Sequence, residues 1–234
     1  MQTTSRCSAD HLSALCADVI IRMIMNIIDH TKSRTTPARL KDPHQIVVHN
    51  TGDTDAEKIV KYYTTPKSLC PHYVIEPNGT VHKIVPESCV AWHIAYNDAV
   101  AALYDQGIDV WKRWRKRNGV LEETASDTYY DSWFARWPRV TDPRTIVGAK
   151  PNYSSVGIEI VALKKPTERV FADEQYIALQ ELIAAISVSC QIPLSKQSVF
   201  GHSDADPISR FNSRGSWDPG PTFDWDAVYA SFGL

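Results

Sequence analysis

The sequence predicts an α/β fold: a mixed central β-sheet flanked by helices. Three observations carry this. Short apolar runs end abruptly in polar turns, as in "QIVVHNTGDT" at 45–54 and "SVFGHSD" at 198–204. "HYVIEPNGTVHKIV" at 72–85 sets two strand-like runs around Pro77-Asn78-Gly79, a hairpin signal. Between such runs lie stretches with apolar residues at helical spacing, 172–190 above all. Interleaved strands and helices with at least one antiparallel pair describe a mixed sheet in a layered sandwich.

Taken in order, Leu12, Leu15, Cys16, Val19, Ile20, Met23 and Ile27 recur at helical spacing, with Asp18 and Arg22 between them. That is an amphipathic helix, not the apolar run of a signal peptide. "SALC" departs from a lipoprotein signal, because Leu15 stands where a small residue should precede Cys16. Met25 offers an alternative start, which makes residues 1–24 an N-terminal helical extension and 25–234 the main domain. "TDAE" predicts a capping box, with Thr54 at the N-cap and Glu57 three residues later; Pro66 stops that helix. Residues 94–150 interrupt the economy of the chain. Val100, Leu103, Tyr104, Ile108, Trp111 and Trp114 form one helical stripe, Lys112, Arg113, Arg115, Lys116 and Arg117 crowd the other side, and Gly119 closes the helix. Such a helix reads as a solvated face over a packed aromatic one, or as a surface for a glycan or anionic polymer. "SSVGIEIVAL" at 154–163 is a strand. In the helix at 172–190, Asp173 is the expected cap, and Ile177, Leu182, Ile183 and Ile186 the expected core side.

With 234 residues and 43% hydrophobic content, the chain can bury one sizeable core. A net charge of −2 supplies no field towards nucleic acid or an anionic membrane. No run reaches the roughly 18 apolar residues of a spanning helix. The cysteines at 7, 16, 70, 89 and 190 are odd in number and show no CxxC spacing. Cys70 and Cys89 flank the hairpin and could meet, but free thiols are expected, since nothing else marks an oxidising compartment.

Chemistry gathers at the strand ends. His49 and His202 each close a short apolar strand and enter a polar loop. His49 by itself is either a packed core histidine or one arm of a metal site. Zinc takes about three nitrogen, sulfur or carboxylate ligands and keeps a position open for water. Asp204, Asp206 and Asp218 offer the carboxylate, and Asp218 opens the rigid turn "DPGP". Glu159 interrupts the apolar strand "VGIEIV", on the face opposite Ile158 and Ile160. A carboxylate placed there is costly unless paired or used, which makes it a candidate general base.

"IVVHNTG", "HYVIEPNGTVHKIVP", "AWH", "SSVGIEIV", "GHSD" and "DPGPTFDW", in that order, resemble the type 2 N-acetylmuramoyl-L-alanine amidases, whose fold is shared with peptidoglycan recognition proteins and some phage lysins. The resemblance covers roughly 44–95 and 152–230. It implies one zinc ion per chain on His49, His202 and Asp218, and Glu159 as catalytic acid/base. Branches without that Glu use a Tyr directly before the His of the hairpin strand; Pro71 stands there. His93 in "AWH" would contact substrate at the cleft wall or support the structure with Trp92. The family often has a Lys two residues before the ligand Asp. Ser216 replaces it, and Arg214 is the nearest cation able to stabilise an oxyanion. The loop from His202 to Asp218 is long, which keeps Asp204 as a second ligand candidate, and 94–150 becomes an insertion forming one wall of the groove.

The function implied is a zinc-dependent peptidoglycan amidase that cuts between N-acetylmuramic acid and L-alanine of the stem peptide. The expected protein is a monomer acting on peptidoglycan or muropeptides, with no nucleic-acid partner and no membrane span. Without an export signal, the expected setting is cytoplasmic until release onto the cell wall, as for a phage or prophage lysin, with a recycling enzyme or a delivered toxin as alternatives. A muropeptide-binding module without catalysis is the other function to separate.

Overall fold

The computed structural model describes residues 25–33, 36–39, 41–66, 68–94, 98–106, 114–117, 120–123, 151–163, 170–210 and 218–234. Six strands make one sheet: β1 (Ile27–Asp29), β2 (Gln45–Asn50), β3 (Tyr73–Ile75), β4 (Val81–Lys83), β7 (Ser155–Ile160) and β8 (Val199–Gly201). Their order is β1-β4-β3-β7-β2-β8. Only β3 and β4 run antiparallel; every other neighbouring pair is parallel. The mixed sheet is therefore as expected, and its hairpin is the one signalled by Pro77-Asn78-Gly79. Gly79 has φ +81°, and a Cβ there would meet the Glu174 carbonyl oxygen at 3.0 Å, so the turn needs glycine on both counts.

β2 is buried at all six positions, as a central parallel strand should be. Register sorts the sheet into two faces. Ile46 and Val48 of β2, Val156, Ile158 and Ile160 of β7, Tyr73 and Ile75 of β3, and Val199 of β8 join one core with α4 (Asp173–Cys190) and α7 (Trp225–Ala230). His49 pairs with Glu159 across β2 and β7, on the opposite face. There α1 (Ala56–Thr64) covers one side, packing Ile59 into a smaller cluster with Val74, Ile84, Val85 and Val161. The same face carries Val47 and Phe200, paired across β2 and β8, and, towards the strand ends, His49 and Glu159.

Several boundaries differ from the sequence reading. The cap of α1 is Asp55, not Thr54: its Oδ1 accepts from Lys58 N at 3.0 Å, putting a carboxylate at the positive helix end. The cap of α4 is Ala172, not Asp173, because Gln175 sets the helix start. Its Oε1 accepts from Ala172 N at 3.0 Å, and its Nε2 donates to Val161 O at 2.9 Å, fastening the helix to the end of β7. Ile177 is 56% exposed, whereas Ala178, Leu179, Leu182, Ile183 and Ile186 carry the packing. Ile27 opens β1 instead of closing an N-terminal helical stripe.

The long basic helix is also replaced. Within the segment, α2 spans Asp98–Asp105 and buries Val100 and Leu103, but Trp114–Arg117 is β5, paired antiparallel with β6 (Val120–Glu123). The two residues left between these strands are Asn118 and Gly119, a dipeptide that favours two-residue hairpins. Helical periodicity by itself cannot tell one helix from a helix followed by a hairpin. The N-terminal extension, Trp111, Arg214 and Ser216 lie outside the described residues. Cys70, Cys89 and Cys190 are thiols, and the first two pack into the same apolar cluster without bridging.

The remaining short helices frame the polar face: α3 (Pro151–Ser154) leads into β7, α5 (His202–Ala205) follows β8 directly, and α6 (Pro207–Arg210) packs against β5. Arg39 ties this side together. Its guanidinium donates to the carbonyls of Glu87 (2.7 Å), Tyr153 (2.6 Å) and Ser155 (2.5 Å). Burial lowers its pKa to about 10, which still leaves it charged near neutrality.

Candidate metal centre

His49 sits one residue before the end of β2, and His202 is the first residue after β8. Since β2 and β8 are hydrogen-bonded neighbours, the two strand ends bring the imidazoles to a centroid separation of 4.5 Å. Asp218 arrives from a distant loop. Gly201 admits it: a Cβ there would lie 2.8 Å from Asp218 O and 2.7 Å from Pro219 Cδ. Ser203 then holds the loop, accepting from Asp218 N at 2.7 Å and donating its own N–H to Asp218 O at 2.9 Å. The chain beyond Asp218 is anchored by an aromatic ladder, Phe223 against Trp225 (4.7 Å between centroids) and Trp225 against Tyr229 (5.3 Å).

All three side chains are buried, at 1%, 1% and 3% exposure, too deep for ordinary solvated polar groups. Asp218 Oδ2 lies 3.8 Å from His49 Nδ1 and 3.3 Å from His202 Nδ1. One ligand atom from each residue falls within 4.8 Å of the others. His202 Nδ1 is a buried polar atom that makes no hydrogen bond. Burial, with the charge of Arg210, depresses the His202 pKa well below the usual imidazole value against the pull of Asp218, so the ring is neutral as a ligand must be. Tetrahedral zinc with nitrogen and oxygen at about 2.0–2.2 Å separates its ligand atoms by roughly 3.3 Å. Donor types, spacing and the orphaned Nδ1 thus all fit a zinc ion.

The outer atoms of these side chains are already engaged. Asp218 Oδ1 accepts from Asn50 N at 2.6 Å, His49 Nε2 meets His93 Nδ1 at 2.8 Å, and Arg210 Nε lies 3.3 Å from His202 Nε2. Arg210 Nη1 also lies 4.0 Å from Asp218 Oδ2. Glu159, the register partner of His49, stands beside the cluster, and Tyr63 Oη from α1 donates to its Oε1 at 3.2 Å. Burial and the nearby Glu159 charge push the Tyr63 pKa upward, so this phenol stays protonated.

The structure thus gathers His49, His202, Asp218 and Glu159. It does not bring in the other two aspartates: Asp204 Oδ2 caps α5 by accepting from Gly201 N at 2.9 Å, and Asp206 Oδ1 accepts from Ser209 N at 3.2 Å. His93 is buried behind His49, while Trp92 is 38% exposed and meets the equally exposed Tyr153 edge to face at 5.7 Å. Tyr63, Ser203 and Arg210 were missed by sequence reasoning. A seryl and an aspartyl residue directly after a strand-end histidine signalled a tight, self-bonded turn; nothing local marked Tyr63 or Arg210.

A profile of the N-acetylmuramoyl-L-alanine amidase family matches residues 38–221. No curated protein sequence matches the chain. Among solved structures, a selenomethionine derivative of AmpD is 18% identical, with 88% of this chain and 93% of that one covered, at a TM-score of 0.51. The endolysin N-acetylmuramoyl-L-alanine amidase LysCS from Clostridium intestinale is 17% identical, with 89% and 95% covered, at a TM-score of 0.50. At these identities the likeness is one of fold.

Proposed function

Because the chain belongs to the N-acetylmuramoyl-L-alanine amidase family of peptidoglycan amidases, we propose that it hydrolyses the amide between the lactyl carbonyl of N-acetylmuramic acid and L-alanine of the stem peptide. His49, His202 and Asp218 hold one zinc ion in this reading. Zinc there supplies Lewis acidity, lowering the pKa of a water towards neutrality and polarising the scissile carbonyl. Glu159 takes the proton of the attacking water as the C–O bond forms. It returns a proton to the nitrogen as the C–N bond breaks, so that the products are a carboxylic acid and a free amine. Tyr63 holds one oxygen of Glu159 and so orients the carboxylate for that transfer. Arg210 brings a guanidinium to the edge of the site, where positive charge stabilises the developing oxyanion, and Arg214 remains a second candidate.

Trp92 with Tyr153 offers an exposed aromatic edge for the glycan or peptide, and we assign His93 to the support of His49 instead. From the 94–150 segment, β5 packs against α6, the helix of Arg210, and in this reading supplies one wall of the groove. The observation that carries the whole reading is the buried His49–His202–Asp218 triangle with Glu159 as the next residue across the sheet.

The test is Glu159→Gln with muropeptides and mass spectrometry of the products. The variant should keep its zinc and slow release of L-alanine-ended stem peptide by about 10²-fold or more. Release at the wild-type rate would make Glu159 structural. Tight muropeptide binding by a wild-type protein that releases nothing would make the chain a binding module.

A further inference from the structure

We propose that His93 is a positioning residue that fixes the tautomer of the metal ligand His49 through a one-way chain of hydrogen bonds ending on a backbone carbonyl. The inference rests on the zinc reading above and deepens it.

The direction follows from the far end. Pro151 O can only accept, and Ser155 Oγ lies 2.6 Å from it, so the seryl hydrogen points there. The Ser155 oxygen is then an acceptor for His93 Nε2, 3.1 Å away. His93 therefore carries its proton on Nε2 and presents a bare Nδ1. That atom is 2.8 Å from His49 Nε2, so the His49 proton resides on Nε2 and its lone pair on Nδ1. Nδ1 is the atom that faces Asp218 Oδ2. Every donor in the chain has one acceptor, and with both imidazoles neutral no other assignment satisfies all three contacts.

His93 is also held rigidly. Its N–H and that of Ile94 both donate to Asn152 Oδ1, at 3.0 and 2.9 Å, and Asn152 Nδ2 returns a bond to Ile94 O at 2.8 Å. The ring lies directly on β7 where Gly157 has no side chain; a Cβ there would be 2.4 Å from His93 Cγ. Metal-binding histidines usually give their outer N–H to a carboxylate, a carbonyl or water. A neutral imidazole in that place orients His49 without adding a second negative charge beside Asp218.

Zinc dissociation constants of the full chain, measured by competition with a chromophoric chelator, test this together with nitrogen-detected histidine spectra of the zinc-loaded wild type. His93→Phe keeps a ring but offers no acceptor, and zinc binding should weaken by about 10- to 100-fold. His93→Asn puts an amide oxygen near the place of Nδ1 and should recover most of the loss. The spectra should show His49 and His93 each protonated at Nε2. A folded His93→Phe with wild-type affinity overturns the proposal, as does a proton on His93 Nδ1; if His93→Phe does not fold, the wild-type spectra decide. A wild type that binds no zinc overturns the metal reading and this inference together. Tight wild-type binding with an unaffected His93→Phe removes only the role of His93.

Discussion

At the scale of single residues, Gly157 shows how a missing atom becomes a requirement. Alanine suits its backbone, but the added methyl would stand 2.4 Å from His93 Cγ, so the strain falls on the ring. Gly157→Ala should destabilise by about 1–3 kcal/mol, the usual cost of overpacking, and should weaken zinc binding. Urea denaturation and a zinc titration check both; unchanged zinc affinity would mean that the ring is not pinned there. His72 gives a second, pH-linked prediction. Its Nδ1 accepts from Gly157 N at 2.9 Å, and burial, aided by the Arg39 charge, holds its pKa well below the usual imidazole value. The folded protein keeps His72 neutral, while the unfolded chain takes up a proton near pH 6.5. Stability from this residue is complete above that pH and is lost as pH falls towards the folded-state pKa, at about 1.4 kcal/mol per pH unit. Unfolding free energies at pH 7, 6 and 5 should fall more steeply for wild type than for His72→Asn. His49, His202 and Asp218 were legible because each closes a strand or opens a rigid turn, features written in neighbouring residues. The His93–Ser155 contact joins side chains 62 positions apart, and no local pattern encodes that approach.

At the scale of elements, the sheet separates stability from chemistry. α4 packs Leu179, Leu182, Ile183 and Ile186 on one face, and the His49–His202–Asp218 cluster occupies the other. Leu182→Ala should therefore cost about 2–5 kcal/mol of stability. Zinc affinity of the protein that remains folded should not change. Calorimetry and chelator competition on one preparation test this; a parallel loss of zinc affinity would show the two faces to be coupled. β2, the β3–β4 hairpin, β7 and α4 were readable because their periodicity is long or their turn chemistry explicit. β1 was not, because three residues acquire strand geometry only by pairing with β4. β5 was misread because its Trp114 happened to extend a helical spacing.

At the scale of the molecule, the His49–His202–Asp218 cluster joins β2, β8 and the Asp218 loop, so a zinc ion held there should stabilise the whole fold. Zinc at about 100 times its dissociation constant adds about 2.7 kcal/mol if the unfolded chain does not bind it. Removing zinc with a chelator should lower the midpoint of thermal unfolding by several degrees, and readdition should restore it; a midpoint indifferent to zinc would argue against a ligand set assembled from three elements. The order β3-β7-β2 has a further consequence, for biosynthesis. β2 and β3 follow one another along the chain yet leave a slot between them, which β7 fills only 80 positions after β3 ends, from Ile75 to Ser155. His49 emerges from the ribosome on the order of ten seconds before Glu159 at ordinary rates of synthesis. Throughout that interval the nascent chain carries His49 without its register partner Glu159, and the β2 edge without β7, so the buried cluster cannot be completed on a half-made polypeptide.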